Sequence, residues 1–144
     1  MGKKRIIKKE GQTVDAGLVS RALARTAKKK HVEGTLFVQS TYNNTKLLIA
    51  DKAGNALIWS SSGSLGFKGA KKGTPFAAAK VGELVGEKAA MIGIKAVDVV
   101  VKGVGAGRES SIRAVSSKGI EISLIRDVTP VPHNGPKPKK PRRI

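Results

Sequence analysis

From residue 34 onward, apolar and polar positions alternate in three short runs, 34–41, 45–50 and 55–60. Period two marks strands with one buried face. Tyr42-Asn43-Asn44 separates the first pair and Asp51-Lys52-Ala53-Gly54 the second, short connections rich in Asn, Asp and Gly. They predict an antiparallel meander. Leu36, Val38, Leu47, Ile49, Leu57 and Trp59 are its predicted inner face.

The period then changes. Thr74-Pro75 supplies an N-cap and a proline for the first helical position, and Ala78, Val81, Val85, Ala89 and Ile92 recur at helical spacing before Gly93. A helix over 75–92 is predicted, stopped by that glycine. Gly82 and Gly86 stand one turn apart inside it, each costing ~1 kcal/mol against Ala. Something must approach closely there, and a strand is the expected occupant, with RNA backbone the second. Residues 95–102, with valines at 97, 99, 100 and 101, predict a buried strand, followed by a short helix ending near Gly119 and a last strand over 120–125. Upstream, Val14, Leu18, Ala22 and Leu23 predict a short amphipathic helix between 13 and 26.

Between the buried strand and the short helix runs Gly103-Val104-Gly105-Ala106-Gly107-Arg108-Glu109-Ser110-Ser111-Ile112-Arg113. Alternating glycines permit positive φ and bare amides, so the turn can aim N–H groups at one anion in front of a helix N-terminus. Arg108 and Arg113 would add forked donors for phosphate. The plainer reading is a tight strand-to-helix turn that happens to be glycine-rich. A dinucleotide fingerprint fails because Arg108 stands at its third glycine, and no P-loop spacing occurs here or in 63–74. The phosphate expected is therefore part of a polymer.

Residues 60–73 form a long loop with Lys68, Lys71, Lys72, hydroxyls and Phe67, a mixture suited to backbone contacts with one stacking ring. The competing reading is that Phe67 anchors the loop to the core.

Charge sharpens the choice of partner. The chain has 28 Lys+Arg against 10 Asp+Glu, a net charge of +18. Nucleic acid is the partner such a balance implies. The excess is spread as +7 over 1–33, +6 over 34–128 and +5 over 129–144, which predicts a globular middle between a basic N-terminal arm and a basic C-terminal tail. The tail holds five of the six prolines with Lys137, Lys139, Lys140, Arg142 and Arg143, and reads as an extended RNA-binding strand. Absence of cysteine excludes disulfides, thiolate metal sites and a thiol nucleophile. No apolar run approaches a membrane span and no signal-peptide core is present, so a cytoplasmic location is expected, with an organellar one weighted lower.

Two other classes remain to be weighed. A nuclease would need converging carboxylates, and Asp51, Asp98, Glu109 and Asp127 are the only plausible set. A sequence-nonspecific nucleic-acid-binding protein is permitted by charge alone.

Tyr42-Asn43-Asn44-Thr45, 51–56, Gly66-Phe67-Lys68-Gly69 with Thr74-Pro75-Phe76-Ala77-Ala78, 102–113 and 127–135 together resemble the family of small-subunit ribosomal protein eleven, bacterial type. The resemblance runs from about residue 34 to 143. It implies a three-layer α/β, ribonuclease H-like domain with a mixed five-stranded sheet. It also implies a non-catalytic role without cofactor or metal on the platform of the small subunit. Such a protein bridges rRNA helices, helps shape the Shine–Dalgarno cleft near mRNA and touches platform proteins seven and eighteen. It adds Asn43, Asn44, His133 and Asn134 to the RNA-binding residues expected above. Departures are Val104 and Ala106 where the family turn has prolines, and Gly73 in place of a usual Ser. Nothing carries over to 12–27. Asn134-Gly135 is in addition the pair most open to succinimide formation, on the expectation of an extended, exposed segment.

Overall fold

A computed structural model describes residues 15–24 and 31–141. Its elements are α1 (Ala16–Leu23), β1 (Glu33–Ser40), β2 (Thr45–Ala50), β3 (Ala56–Ser61), α2 (Pro75–Ile92), β4 (Ala96–Lys102), α3 (Gly107–Ser116) and β5 (Glu121–Asp127), with short 3-10 turns at Gly63–Leu65 and Gly69–Gly73. The expected mixed five-stranded α/β sheet forms, in the order β3-β2-β1-β4-β5. β1 pairs antiparallel with β2 and β2 with β3, while β1–β4 and β4–β5 are parallel. Only β2 therefore runs against the others. The connections leaving β1, β3, β4 and β5 all emerge at one end of the sheet.

Local signals set the long helix. The Thr74 hydroxyl accepts from the Ala77 amide, Pro75 occupies the first turn, and Gly93 ends the helix at φ 97. Its predicted stripe is buried: Val81, Val85, Ala89 and Ile92 share one core with Leu36, Val38, Leu47, Ile49, Val97 and Val99, while Ala78, also buried, stands beside Gly107. Burying each Val, Leu or Ile contributes roughly 1.5–3 kcal/mol. Helix α1 forms within the predicted 13–26, with Leu23 and also Val19, which the spacing did not single out, against the same core, while Val14 lies outside the described residues.

Three expectations change. In β3 the inner residues are Ile58 and Ser60, while Trp59 is 65% exposed. Pairing decides this, because Ile58 stands opposite Ile49 and Ser60 opposite Leu47, both inner residues of β2, and a one-residue change of phase reverses every side chain. Next, the close neighbour of Gly82 and Gly86 is helix α3 with the turn that follows it, not a strand. A Cβ on Gly82 would stand 2.5 Å from the Ser111 carbonyl oxygen and 2.8 Å from the Ala114 Cβ, and one on Gly86 would stand 2.8 Å from Lys118 Cγ. Two helices on one sheet face can cross this closely only where one presents bare backbone. Lys118 Nζ then reaches Glu87 Oε1 at 2.8 Å, an ion pair that raises the lysine pKa. Finally, α2 and α3 share one face of the sheet with α1 beside them. Among the described residues no element covers the other face, where the third layer was expected. The strand pattern is one-sided, as in β4, where Val97, Val99 and Val101 are buried and Asp98 and Lys102 are exposed.

Candidate nucleic-acid interface

Four stretches far apart in sequence meet at the end of the sheet where β1, β3, β4 and β5 terminate. These are the hairpin tip 41–44, the lysine loop 62–73, the glycine turn 103–107 and the start of the C-terminal tail. In α/β sheets ligands gather at the carboxyl ends of the strands.

The hairpin tip closes through Thr41, whose amide donates to the Asn44 carbonyl at 2.8 Å and whose hydroxyl accepts from the Asn44 amide at 3.2 Å. This turns Tyr42, 77% exposed, and Asn43 outward. Asn44 is half-buried, and its Oδ1 is a buried acceptor with no hydrogen-bond partner among the described residues. Gly73 seats against this tip, where a Cβ would collide with the Tyr42 carbonyl and lie 3.5 Å from the Asn43 Cα. Glycine at 73 thus docks the lysine loop onto the hairpin. Lys68 and Lys71 are exposed there and Lys72 is half-buried. Phe67 is buried, 8% exposed, and meets the Phe76 ring edge-on at 6.1 Å. It anchors the loop, and its ring is not presented for stacking.

The glycine turn has the expected strand–turn–helix form, but close packing explains its glycines. A Cβ on Gly103 would strike the Ser40 carbonyl, one on Gly105 the Thr41 carbonyl, and one on Gly107 the Thr45 hydroxyl and Ala78. Of the three, only Gly103 has a positive φ, 107°. The Gly105 amide donates to the Ser40 carbonyl at 3.0 Å and the Gly103 amide to the Thr129 hydroxyl at 3.1 Å. Both amides are engaged inside the protein.

Arg108 is also turned inward. One guanidinium nitrogen donates to the Gly103 carbonyl and, at 3.1 Å, to Thr129 Oγ1, and the other to Asp127 Oδ2. Thr129 in turn donates its hydroxyl to Asp127 Oδ1 at 2.6 Å and its amide to the same oxygen at 2.9 Å. The Thr129 hydroxyl and then the Arg108 guanidinium hold the Asp127 carboxyl far below the usual carboxylate range. The result is a clamp that fixes where the tail leaves β5, reinforced by the Val128 amide donating to the Val101 carbonyl at 2.9 Å. Sequence reasoning missed Thr129. Its signal was the Asp-x-Thr spacing just before Pro130, a local side-chain-to-backbone turn.

Arg113 is exposed on α3 and pairs with Glu109 one turn earlier. His133, Asn134, Lys137, Lys139 and Lys140 are all exposed on a tail without helix or strand. Asn134 lies at φ 57, so the chain bends at this pair instead of running extended through it. Arg142 and Arg143 lie outside the described residues.

The four acids weighed for metal chemistry stand apart. Asp51 Oδ1 accepts from the Asn55 amide at 2.8 Å and its other oxygen from the Asn55 side chain at 3.0 Å, bonds that lower its pKa. Asp98 faces the open side of the sheet, Glu109 pairs with Arg113, and Asp127 belongs to the clamp. Three of the four are thus committed to partners of their own.

The family model of ribosomal protein S11 matches residues 34–143, a span that includes the hairpin tip, the lysine loop, the glycine turn, the clamp and most of the tail.

Proposed function

The chain belongs to the ribosomal protein S11 family, a structural, RNA-binding component of the small ribosomal subunit in translation. From that premise we propose that it sits on the platform of that subunit and holds rRNA helices together there. The convergence of four connections at one end of the sheet carries this reading. Tyr42, Asn43, Lys68 and Lys71, with the half-buried Lys72 beside them, form one cation-rich edge, and His133, Asn134, Lys137, Lys139 and Lys140 leave from the same end on a tail long enough to reach a second helix. At ~3.1 Å per residue, the twelve residues 130–141 span up to about 37 Å if extended.

The glycine turn and Arg108 act as the frame that aims these groups, and the amides left at the start of α3 remain available to phosphate. Contacts with platform proteins seven and eighteen, a share in the Shine–Dalgarno cleft and a cytoplasmic ribosome belong to the same proposal. A competition assay at fixed salt tests it. A folded platform rRNA fragment is expected to displace labelled rRNA at far lower concentration than random RNA or duplex DNA of equal length. Equal competition by all three would replace it with sequence-nonspecific binding.

A further inference from the structure

The open face of the sheet carries a feature that the site above does not use. The chain has one Trp, one Tyr and three Phe. Four of these five rings, Tyr42, Trp59, Phe76 and Phe37, are exposed, and only Phe67 is buried. Two of the exposed rings share one row of the uncovered face. Trp59 stands opposite Leu48, Leu48 opposite Phe37, and Phe37 opposite Val100, which is followed by Arg126. Trp59 and Phe37 are 65% and 40% exposed. Two strand spacings separate them, roughly 10 Å, with Leu48 as an apolar floor between.

The next row toward the RNA-facing end reads Lys46, Gln39, Lys102. Both lysines are exposed and, among the described residues, neither forms an ion pair. On the other side of the aromatic row, Asp98 and the Glu33–Lys52 pair supply the acids. Rings in the centre, unpaired cations along one side and carboxylates along the other give this face a direction. An apolar protein surface laid on it would bury the rings and leave the lysines unneutralised. A polyanion with flat bases satisfies both.

We propose that this face is a second RNA site that takes a single-stranded segment, with bases stacked on Trp59 and Phe37 and phosphates along Lys46 and Lys102. The proposal rests on the RNA-binding reading above but assigns residues outside it. A duplex would not serve, because its bases are already stacked on one another and only unpaired bases can lie on a ring.

Trp59 is the only tryptophan, so its emission reports this face directly. Full-length protein is titrated with a ten-nucleotide oligoadenylate and, separately, with an RNA duplex of that length, following tryptophan emission and the anisotropy of labelled RNA together. Saturable quenching by the single strand and little by the duplex is expected. Trp59→Ala should weaken single-strand binding about five- to a hundredfold while sparing the duplex, the range set by base–aromatic stacking. Trp59→Phe should retain most of the affinity, which separates lost stacking from misfolding. Lys46→Gln with Lys102→Gln should reduce the single-strand salt slope by roughly 1.4. Binding by anisotropy with unchanged emission, or an unaffected Trp59→Ala variant, would overturn this site and leave the platform reading standing. Failure of both RNAs to bind would likewise overturn this site, while the platform reading is tested separately by the rRNA-fragment competition. Emission that shifts with protein concentration in the absence of RNA would assign the face to a second copy of the chain.

Discussion

Arg108 and Lys139 both carry positive charge on connections that leave the same end of the sheet. Arg108 donates to Gly103, Thr129 and Asp127, whereas Lys139 is exposed and, among the described residues, has no partner. The same contrast holds for backbone. The glycine turn is packed onto Ser40 and Thr41 and its amides at 103 and 105 are engaged, while the tail beyond Thr129 is exposed throughout its described length. A cation close to the proposed RNA-binding edge is therefore not by itself an RNA contact. Its internal partners decide whether it shapes the edge or meets the phosphate.

The sharpest way to break this comparison is Gly105→Val. A branched side chain would have to enter space held by the Thr41 carbonyl and the Ser40 hydroxyl, so a loss of ~2–4 kcal/mol is expected from overpacking of buried backbone. Denaturant unfolding of the purified variant measures it. Unchanged stability with weakened RNA binding would return the turn to the role of a phosphate cradle.

Arg108→Ala is expected to act next most strongly, lowering the thermal transition clearly because the Gly103 carbonyl and Asp127 lose their donor together. Lys139→Ala should leave stability within about 0.5 kcal/mol. If the two variants melted alike and only RNA affinity fell, the clamp would not be holding the fold.

Removing 130–144 sharpens the other half of the comparison. Thr129 stays, so the clamp survives and the transition is expected to stay put, but the log–log salt dependence of RNA binding should flatten by ~0.7–0.9 for each phosphate that the tail no longer neutralises. Removing Thr129 as well should lower the transition by freeing the Gly103 amide. Identical melting of the two truncations would show that the clamp ends at Asp127.

The smallest effect is on acid stability. Asp127 has a depressed folded-state pKa, so the stability it contributes is present above its unfolded value near 3.9 and fades as pH falls toward the lower folded value. The advantage of the wild-type chain over Asp127→Asn should therefore be full at neutral pH and shrink below about pH 4. A gap that widened on acidification would contradict the clamp.

Elements with local causes were legible in the sequence. Thr74-Pro75 and Gly93 bound α2 because capping and positive φ act within a turn, and the Asn- and Asp-rich connections set the meander because tight turns do. The family resemblance rested on the same short stretches and supplied the RNA partner. What the sequence could not settle depends on partners distant along the chain. Whether Ile58 or Trp59 faces the core is chosen by register against β2, which shifts every side chain at once. The contacts of Gly82 and Gly86 depend on which element crosses α2, and the role of Arg108 depends on Asp127, nineteen positions later. The gathering of four connections at one end follows from three strands running with β1 while β2 alone runs against it, and the bare face follows from α2 and α3 both packing on the opposite side. Strand direction is a property of pairing, and pairing exists only once the chain has closed on itself.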